Sequence, residues 1–274
     1  MEHSDSGYKQ STIQVPSEFE EVFSHFYFAE NRSEHSVVKT LLPSYRMILV
    51  FCFGGPMTMI TPETCVKVRQ CMVIGPVKKA FDYSLLPGAS FLAVNFKGNA
   101  FFRFFGKPLL AFPSNGLDPD ELIPENCFTE IWNQLSQLPS TDERCSCILE
   151  FCRPYLQDQD DLDALINDLS FGPRHPVKTA AGITGQSERN IQLRYRNRLG
   201  SSAKELHRYH RFLEAIKIIE KEADNRKKTD WFQIITTCGY YDQSQLIRDF
   251  KHFIGITPSR YIKFQNSICN PTVG

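Results

Sequence analysis

Two hydrophobic rhythms divide the chain. In the first third, short runs rich in Val, Ile, Phe and Tyr alternate with Gly- and Pro-bearing turns. They cover residues 25–29, 37–42, 48–53, 57–60, 66–74, 80–85 and 91–96, with turns at Gly54-Gly55-Pro56, Thr61-Pro62, Gly75-Pro76 and Pro87-Gly88. Strands at this spacing predict a small sandwich or barrel. Residues 18–23 read as one or two helical turns before it, and residues 99–105 as a helical turn that plugs one end. Further on the period lengthens. Residues 118–138, 141–156 and 160–169 predict three helices, the first two capped by Asp118 and Thr141, with Ile131, Leu135 and Leu138 as a stripe. Phe171-Gly172-Pro173, with Pro176, reads as a linker.

The last hundred residues hold two similar units. In the second, Asp242 is placed to cap a helix, with Gln245 three residues on in a capping-box arrangement. Leu246, Phe250 and Phe253 form one apolar stripe, and Gly255 ends the helix. Thr257 and Pro258 then start another. The opposite face carries Gln243, Ser244, Gln245, Arg248 and Lys251, side chains suited to base edges and phosphates. The first unit repeats this more weakly. Residues 177–183 would be its supporting helix, Gly185 the turn and Ser187 the cap, with Ile191, Tyr195 and Leu199 inward. Arg189, Asn190, Gln192, Leu193 and Arg196 face outward, and Leu193 suits a thymine methyl better than a polar edge. Between the units, Ser202 with Glu205 caps a helix over 203–223, with Leu206, Tyr209, Leu213, Ile216 and Ile219-Glu220 inward. Its length of about 31 Å is close to the ~34 Å turn of B-DNA. Residues 225–228 add a basic loop, and Asp230 caps the short helix 231–238 that supports the second reader.

The run Gly239-Tyr240, Asp242, Ser244, Leu246, Arg248, Phe250-Lys251, Gly255, Thr257-Pro258 and Tyr261 resembles the second helix-turn-helix of AraC-type transcription regulators. Ser187, Arg189, Ile191-Gln192 and Gly200 fall on the pattern of the first. Leu193 stands where the family commonly has a polar residue, and Ile235 where it has a small Ala. The resemblance, strongest in its last third, spans 177–261. It implies an α+β protein: an N-terminal cupin-like β-barrel sensor domain (1–116), a helical bridge and linker (117–173), and an all-α DNA-binding domain with two helix-turn-helix units (174–274). It also implies partners: double-stranded DNA, a small-molecule effector in the barrel, a homodimer contact and RNA polymerase. Phe51, Phe53, Tyr83, Phe91 and Phe96 either line that effector pocket or simply fill the core. The middle helices either carry a dimer contact and relay the effector signal or pack on the barrel.

Charge supports the division. From residue 174 onward there are 18 Lys and Arg against 9 Asp and Glu; the preceding residues hold 13 against 22. A basic half joined to an acidic half fits a DNA reader with a different partner domain. The reading that competes with sequence-specific regulation is a protein-interaction module with a low-specificity DNA-binding domain, which Leu193 and Ile235 keep open. An enzyme is not expected. Nucleophile-elbow, P-loop and dinucleotide motifs are missing from the sequence, and the barrel segment lacks the His cluster of a metal cupin. No cofactor or metal is expected. Nine cysteines, with Cys145, Cys147 and Cys152 the only cluster, read as reduced thiols rather than zinc ligands, with a redox or metal sensor as the lesser alternative. The polar N-terminus and the broken 14-residue apolar run 47–60 offer neither a signal region nor a membrane span, so a cytoplasmic location is expected.

Overall fold

The computed structural model describes residues 7–113, 115–123, 126–156, 160–169, 175–224, 229–264 and 268–269. The expected linker at 171–173 and basic loop at 225–228 lie outside these residues.

The strands are β1 (Tyr8–Ile13), β2 (Phe23–Asn31), β3 (Val37–Leu41), β4 (Ile48–Phe53), β5 (Met57–Ile60), β6 (Cys65–Val68), β7 (Cys71–Ile74), β8 (Phe81–Leu85) and β9 (Ser90–Phe96), with a short β10 (Ile268–Cys269). Among the described residues they form two five-stranded sheets, ordered β1-β2-β9-β4-β7 and β10-β3-β8-β5-β6. Pairing is antiparallel except for β10, which runs parallel to β3. The run 66–74, expected as one strand, divides at Arg69-Gln70. Residues 65–68 pair with β5 in one sheet, and 71–74 with β4 in the other. The turn expected at 18–23 is a single 3-10 turn over Ser17–Phe19, and β2 already begins at Phe23.

β4 is buried on both faces, which is why it reads as a continuous apolar run. Ile48, Val50 and Cys52 point between the sheets, among Tyr27, Met57, Tyr83, Leu85, Phe91 and Ala93. Leu49, Phe51 and Phe53 point the other way, onto α1 (Ala100–Phe105), α2 (Cys127–Gln137) and α3 (Thr141–Cys152). A bulge in β2 sets Phe23 and Phe26, three residues apart, against that same helical layer; the ladder to β9 slips between Phe23 and His25, leaving Ser24 as the extra residue. The five aromatic residues expected around an effector therefore do not converge. Phe51, Phe53 and Phe96 belong to the helical layer, and Tyr83 and Phe91 to the space between the sheets. That space keeps a void of only about 20 Å³, the scale of one water.

The helix expected over 118–138 is two pieces. Asp118 caps a 3-10 turn, Pro119–Glu121, and the sequence then places Pro124 before the left-handed Asn126 (φ 53°). Asp120 takes over as the cap of α2, accepting from Phe128 N at 2.7 Å and Thr129 N at 3.1 Å. Ser140, not Thr141, caps α3, in a capping box with Glu143. Both helices spend their apolar side on the sheet, and Trp132 Nε1 donates to Cys52 O at 2.8 Å. α4 (Asp161–Leu169) packs instead on the reading half. Its Leu162 and Ile166 share a cluster with Ala180, Ile191, Tyr195 and Leu199. Burial pushes the Cys145 thiol up to about 12 and raises Cys147 and Cys152 as well, so thiolate is scarce at neutral pH.

Candidate nucleic-acid interface

The reading half consists of α5 (Pro176–Thr184), α6 (Glu188–Leu199), α7 (Ala203–Asp224), α8 (Trp231–Thr237), α9 (Gln243–Ile254) and α10 (Pro258–Phe264). Local chemistry marks each end. Ser187 Oγ accepts from Asn190 N, and Gly200 closes α6 at φ +65°. The Asp242 carboxylate accepts from Gln245 N at 2.7 Å, and Gly255 closes α9 at φ +73°. Ser202 and Glu205 form the expected capping box at α7, and Asp230 accepts from Phe232 N and Gln233 N at α8. The second capping box differs from the expected one. Gln245 Oε1 accepts from Tyr241 N at 2.9 Å, one residue before the cap, rather than from the amide of Asp242.

The inward stripes are buried as expected: Ile191, Tyr195 and Leu199 in α6, and Leu246, Phe250 and Phe253 in α9. Outward, Arg189, Asn190, Gln192, Leu193 and Arg196 are all exposed on α6, and Gln243, Ser244, Arg248 and Lys251 on α9. Gln245 is half-buried, its carbonyl committed to Tyr241. α7 joins the units through Leu206, Tyr209, Leu213, Ile216 and Ile219, all buried, while Glu220 receives the Tyr261 hydroxyl at 2.6 Å. Buried Asp249 accepts from Arg208 Nε at 2.7 Å and Arg211 Nη2 at 3.0 Å, which ties α9 to α7.

Sequence reasoning did not find how the N-terminal half grips this one, because the partners are far apart in the chain. The Tyr45 ring stacks on Tyr209 at 4.3 Å, and Tyr209 Oη donates to Pro43 O at 2.7 Å. Ala80 N donates to Phe253 O at 2.8 Å, at the end of α9. At the end of α6, the Arg198 guanidinium lies 3.6 Å from the Phe102 ring centroid. Tyr45 holds φ +54°, uncommon for a bulky residue.

Beside this contact lies a cavity of about 1210 Å³ between the N-terminal half and the reading half. Phe23, Leu42, Tyr45, Phe212, Leu213 and Ile216 give it apolar walls. Its polar corner is Ser24, His25 and Arg46. Arg46 Nη1 donates to Ser24 Oγ at 2.9 Å, and Ser24 Oγ lies 3.1 Å from His25 Nδ1. His25 Nε2 is buried and has no partner among the described residues. Burial, and then the Arg46 charge, push the His25 ring down to about 4, so it is neutral at ordinary pH. Burial also lowers Arg46, whose guanidinium has no carboxylate partner among the described residues.

Two capped, glycine-terminated reading helices on a common connecting helix define a bipartite helix-turn-helix DNA-binding unit. Residues 180–263 match the family model described as a helix-turn-helix domain, HTH_18. The C-terminal part of the chain thus holds a helix-turn-helix domain of the AraC type. No curated protein matches the chain. Among solved structures, the chain is similar to ToxT from Vibrio cholerae, at 12% identity over 94% of this chain and 98% of that one, with a TM-score of 0.43. The same identity, coverage and TM-score apply to ToxT bound to (E)-4-(8-methylnaphthalen-1-yl)but-3-enoic acid. An RmlC-like cupin protein from Desulfovibrio desulfuricans aligns at 7% identity over 35% of this chain and 88% of that one, with a TM-score of 0.27. Overlaps this loose carry no argument about the present chain. No helix among the described residues is long and apolar enough to cross a membrane.

Proposed function

We propose that this protein is a transcription regulator that reads a bipartite site, with α6 and α9 entering successive major grooves on one face of the DNA. The observation that carries the reading is the pair of 12-residue helices, each with a buried stripe and an opposite polar, exposed face, held on one 22-residue helix. At 1.5 Å per residue α7 spans about 33 Å, close to the ~34 Å separating equivalent grooves. Arg189, Asn190, Gln192, Leu193 and Arg196 then face one groove, and Gln243, Ser244, Arg248 and Lys251 the other. Gln245 is assigned to fixing the helix start, because its carbonyl holds Tyr241 N. The packing of α4 supports counting it with the reading half rather than with the helical bridge.

In-vitro selection of random duplex DNA with the full-length protein tests this. Two enriched blocks about 10 base pairs apart are expected, and Arg248→Ala should cost about 1–3 kcal/mol on the selected site and relax one position. Binding with no enriched motif would favour the low-specificity reading, in which the protein acts chiefly through a protein partner.

The cavity supports control by a small effector bound between the halves rather than inside the sheets. A half-buried guanidinium with no carboxylate partner among the described residues, on a chamber with both apolar and polar walls, suits an amphipathic anion, above all a carboxylate. Because Arg46 follows Tyr45, an anion there would pull on the loop that stacks against α7. Dodecanoate should raise the melting temperature of the full-length protein and dodecanol should not. Arg46→Gln should abolish the difference. Equal stabilisation by acid and alcohol, or none by either, would remove the effector assignment while leaving the DNA reading intact.

A further inference from the structure

The two reading helices align cap on cap. Ser187 falls on Asp242 and Gly200 on Gly255, so Ile191 corresponds to Leu246 and Tyr195 to Phe250, and all four of these side chains are buried. In this alignment Leu193 corresponds to Arg248. Both are exposed, and both sit in the middle of the outward face. From this equivalence, and resting on the DNA-reading function proposed above, we infer that Leu193 is a specificity residue that reads a thymine 5-methyl group, while Arg248 reads guanine.

A lone exposed leucine means little on a protein surface. Three observations set this one apart. The core of α6 is complete without it, since Ile191, Tyr195 and Leu199 already form the stripe, and Leu193 is left 52% exposed on the other side. Arg189 and Arg196 lie one turn before and one turn after it. Both are exposed, and neither has an ion-pair partner among the described residues. An apolar side chain between two exposed guanidiniums fits a polyanion that offers an apolar spot. In the major groove that spot is the thymine methyl, the one apolar group on the base edges. At the corresponding position of α9, Arg248 offers paired donors, which suit the O6 and N7 acceptors of guanine. The site is therefore asymmetric: a thymine under α6 and a guanine under α9.

Replacing single thymines of the selected site by deoxyuridine tests this, because it removes the methyl and leaves every pairing and groove acceptor in place. With the full-length protein, one such change in the α6 block should weaken binding about three- to fivefold, the worth of one buried methyl. The same change should have no effect on Leu193→Ala, and should keep its effect on Arg248→Ala. The salt dependence of binding should be the same in wild type and Leu193→Ala, since no phosphate contact is lost. Leu193→Arg, which copies the second unit, should move the preference at that base pair from thymine toward guanine. If no thymine methyl matters, or if Leu193→Ala stays equally sensitive to its removal, the assignment of Leu193 is wrong while two-block selection keeps the DNA reading. If no motif is selected at all, both fail together.

Discussion

Helices α6 and α9 each run 12 residues from a capped start to a left-handed glycine, yet they meet different neighbours. At the position after Leu193 and Arg248 their charges are opposite. Arg194 of α6 reaches out to Asp160 and Asp163 at the start of α4, at 2.9 and 3.2 Å. Asp249 of α9 lies buried between Arg208 and Arg211 of α7. The glycines differ too. A Cβ on Gly200 would come within 2.7 Å of Pro76 Cγ and 3.1 Å of Leu109 Cβ in the N-terminal half, whereas one on Gly255 would meet nothing within 4 Å. Local signals build the same helix twice; long-range contacts set the first unit against α4, Pro76 and Leu109, and the second against the connecting helix and, through Phe253 O, Ala80 N.

The largest expected contrast lies in the ion pairs. Asp249→Ala strands two guanidiniums around a buried site and should destabilise the reading half by about 3 kcal/mol, the lower part of the range for breaking a buried pair. Arg194→Ala removes a partly exposed partner while Arg198 Nε still holds Asp163 at 3.3 Å. Its cost should stay below about 1 kcal/mol. Urea unfolding midpoints of the two full-length variants would measure the difference. Similar losses would mean that both units are anchored alike.

The glycines come next. Gly200→Ala and Gly255→Ala each force a side chain into the left-handed region, for about 1–2 kcal/mol. The first should cost about 1–3 kcal/mol more, because Pro76 and Leu109 must move. Gly255 lies two residues from Phe253, whose carbonyl accepts from Ala80 N, so Gly255→Ala should speed exchange at that amide more than Gly200→Ala does. Equal stability losses would show that Pro76 and Leu109 yield freely at Gly200.

This contrast explains what the sequence revealed. Every end of α6 and α9 was readable, because Ser187, Asp242, Gly200 and Gly255 act on amides and carbonyls within four residues of themselves. The strands were readable where burial is continuous, as in β4. They were not where the strand is polar and at an edge: β1, YKQSTI, carries no apolar alternation, and only its pairing with β2 makes it a strand. The break at Arg69-Gln70 was hidden because the chain changes sheets there without a Gly or Pro. The aromatic residues of β4, β8 and β9 were legible as buried but not as facing one layer or the other, which the pleat and register decide. The cavity at Arg46 and the stacking of Tyr45 on Tyr209 join residues far apart in the chain, so no spacing could announce them.

The smallest contrast is at the caps, where the two units look most alike. Ser187 Oγ accepts from Asn190 N at 3.3 Å, and the Asp242 carboxylate from Gln245 N at 2.7 Å. The carboxylate gains from its charge as well as its geometry, because the first turn of a helix carries partial positive charge. Asp242→Ala should therefore cost about 1–2 kcal/mol and Ser187→Ala about 0.5 kcal/mol. Asp242→Asn, which keeps an acceptor but not the charge, should recover part of the loss. Gln245 Oε1 still holds Tyr241 N in these variants, so the entry to α9 should stay ordered while its first turn frays. Amide exchange at Gln245 and Asn190 reads both effects directly. If Asp242→Asn loses as much as Asp242→Ala, the acceptor geometry rather than the charge distinguishes the two starts.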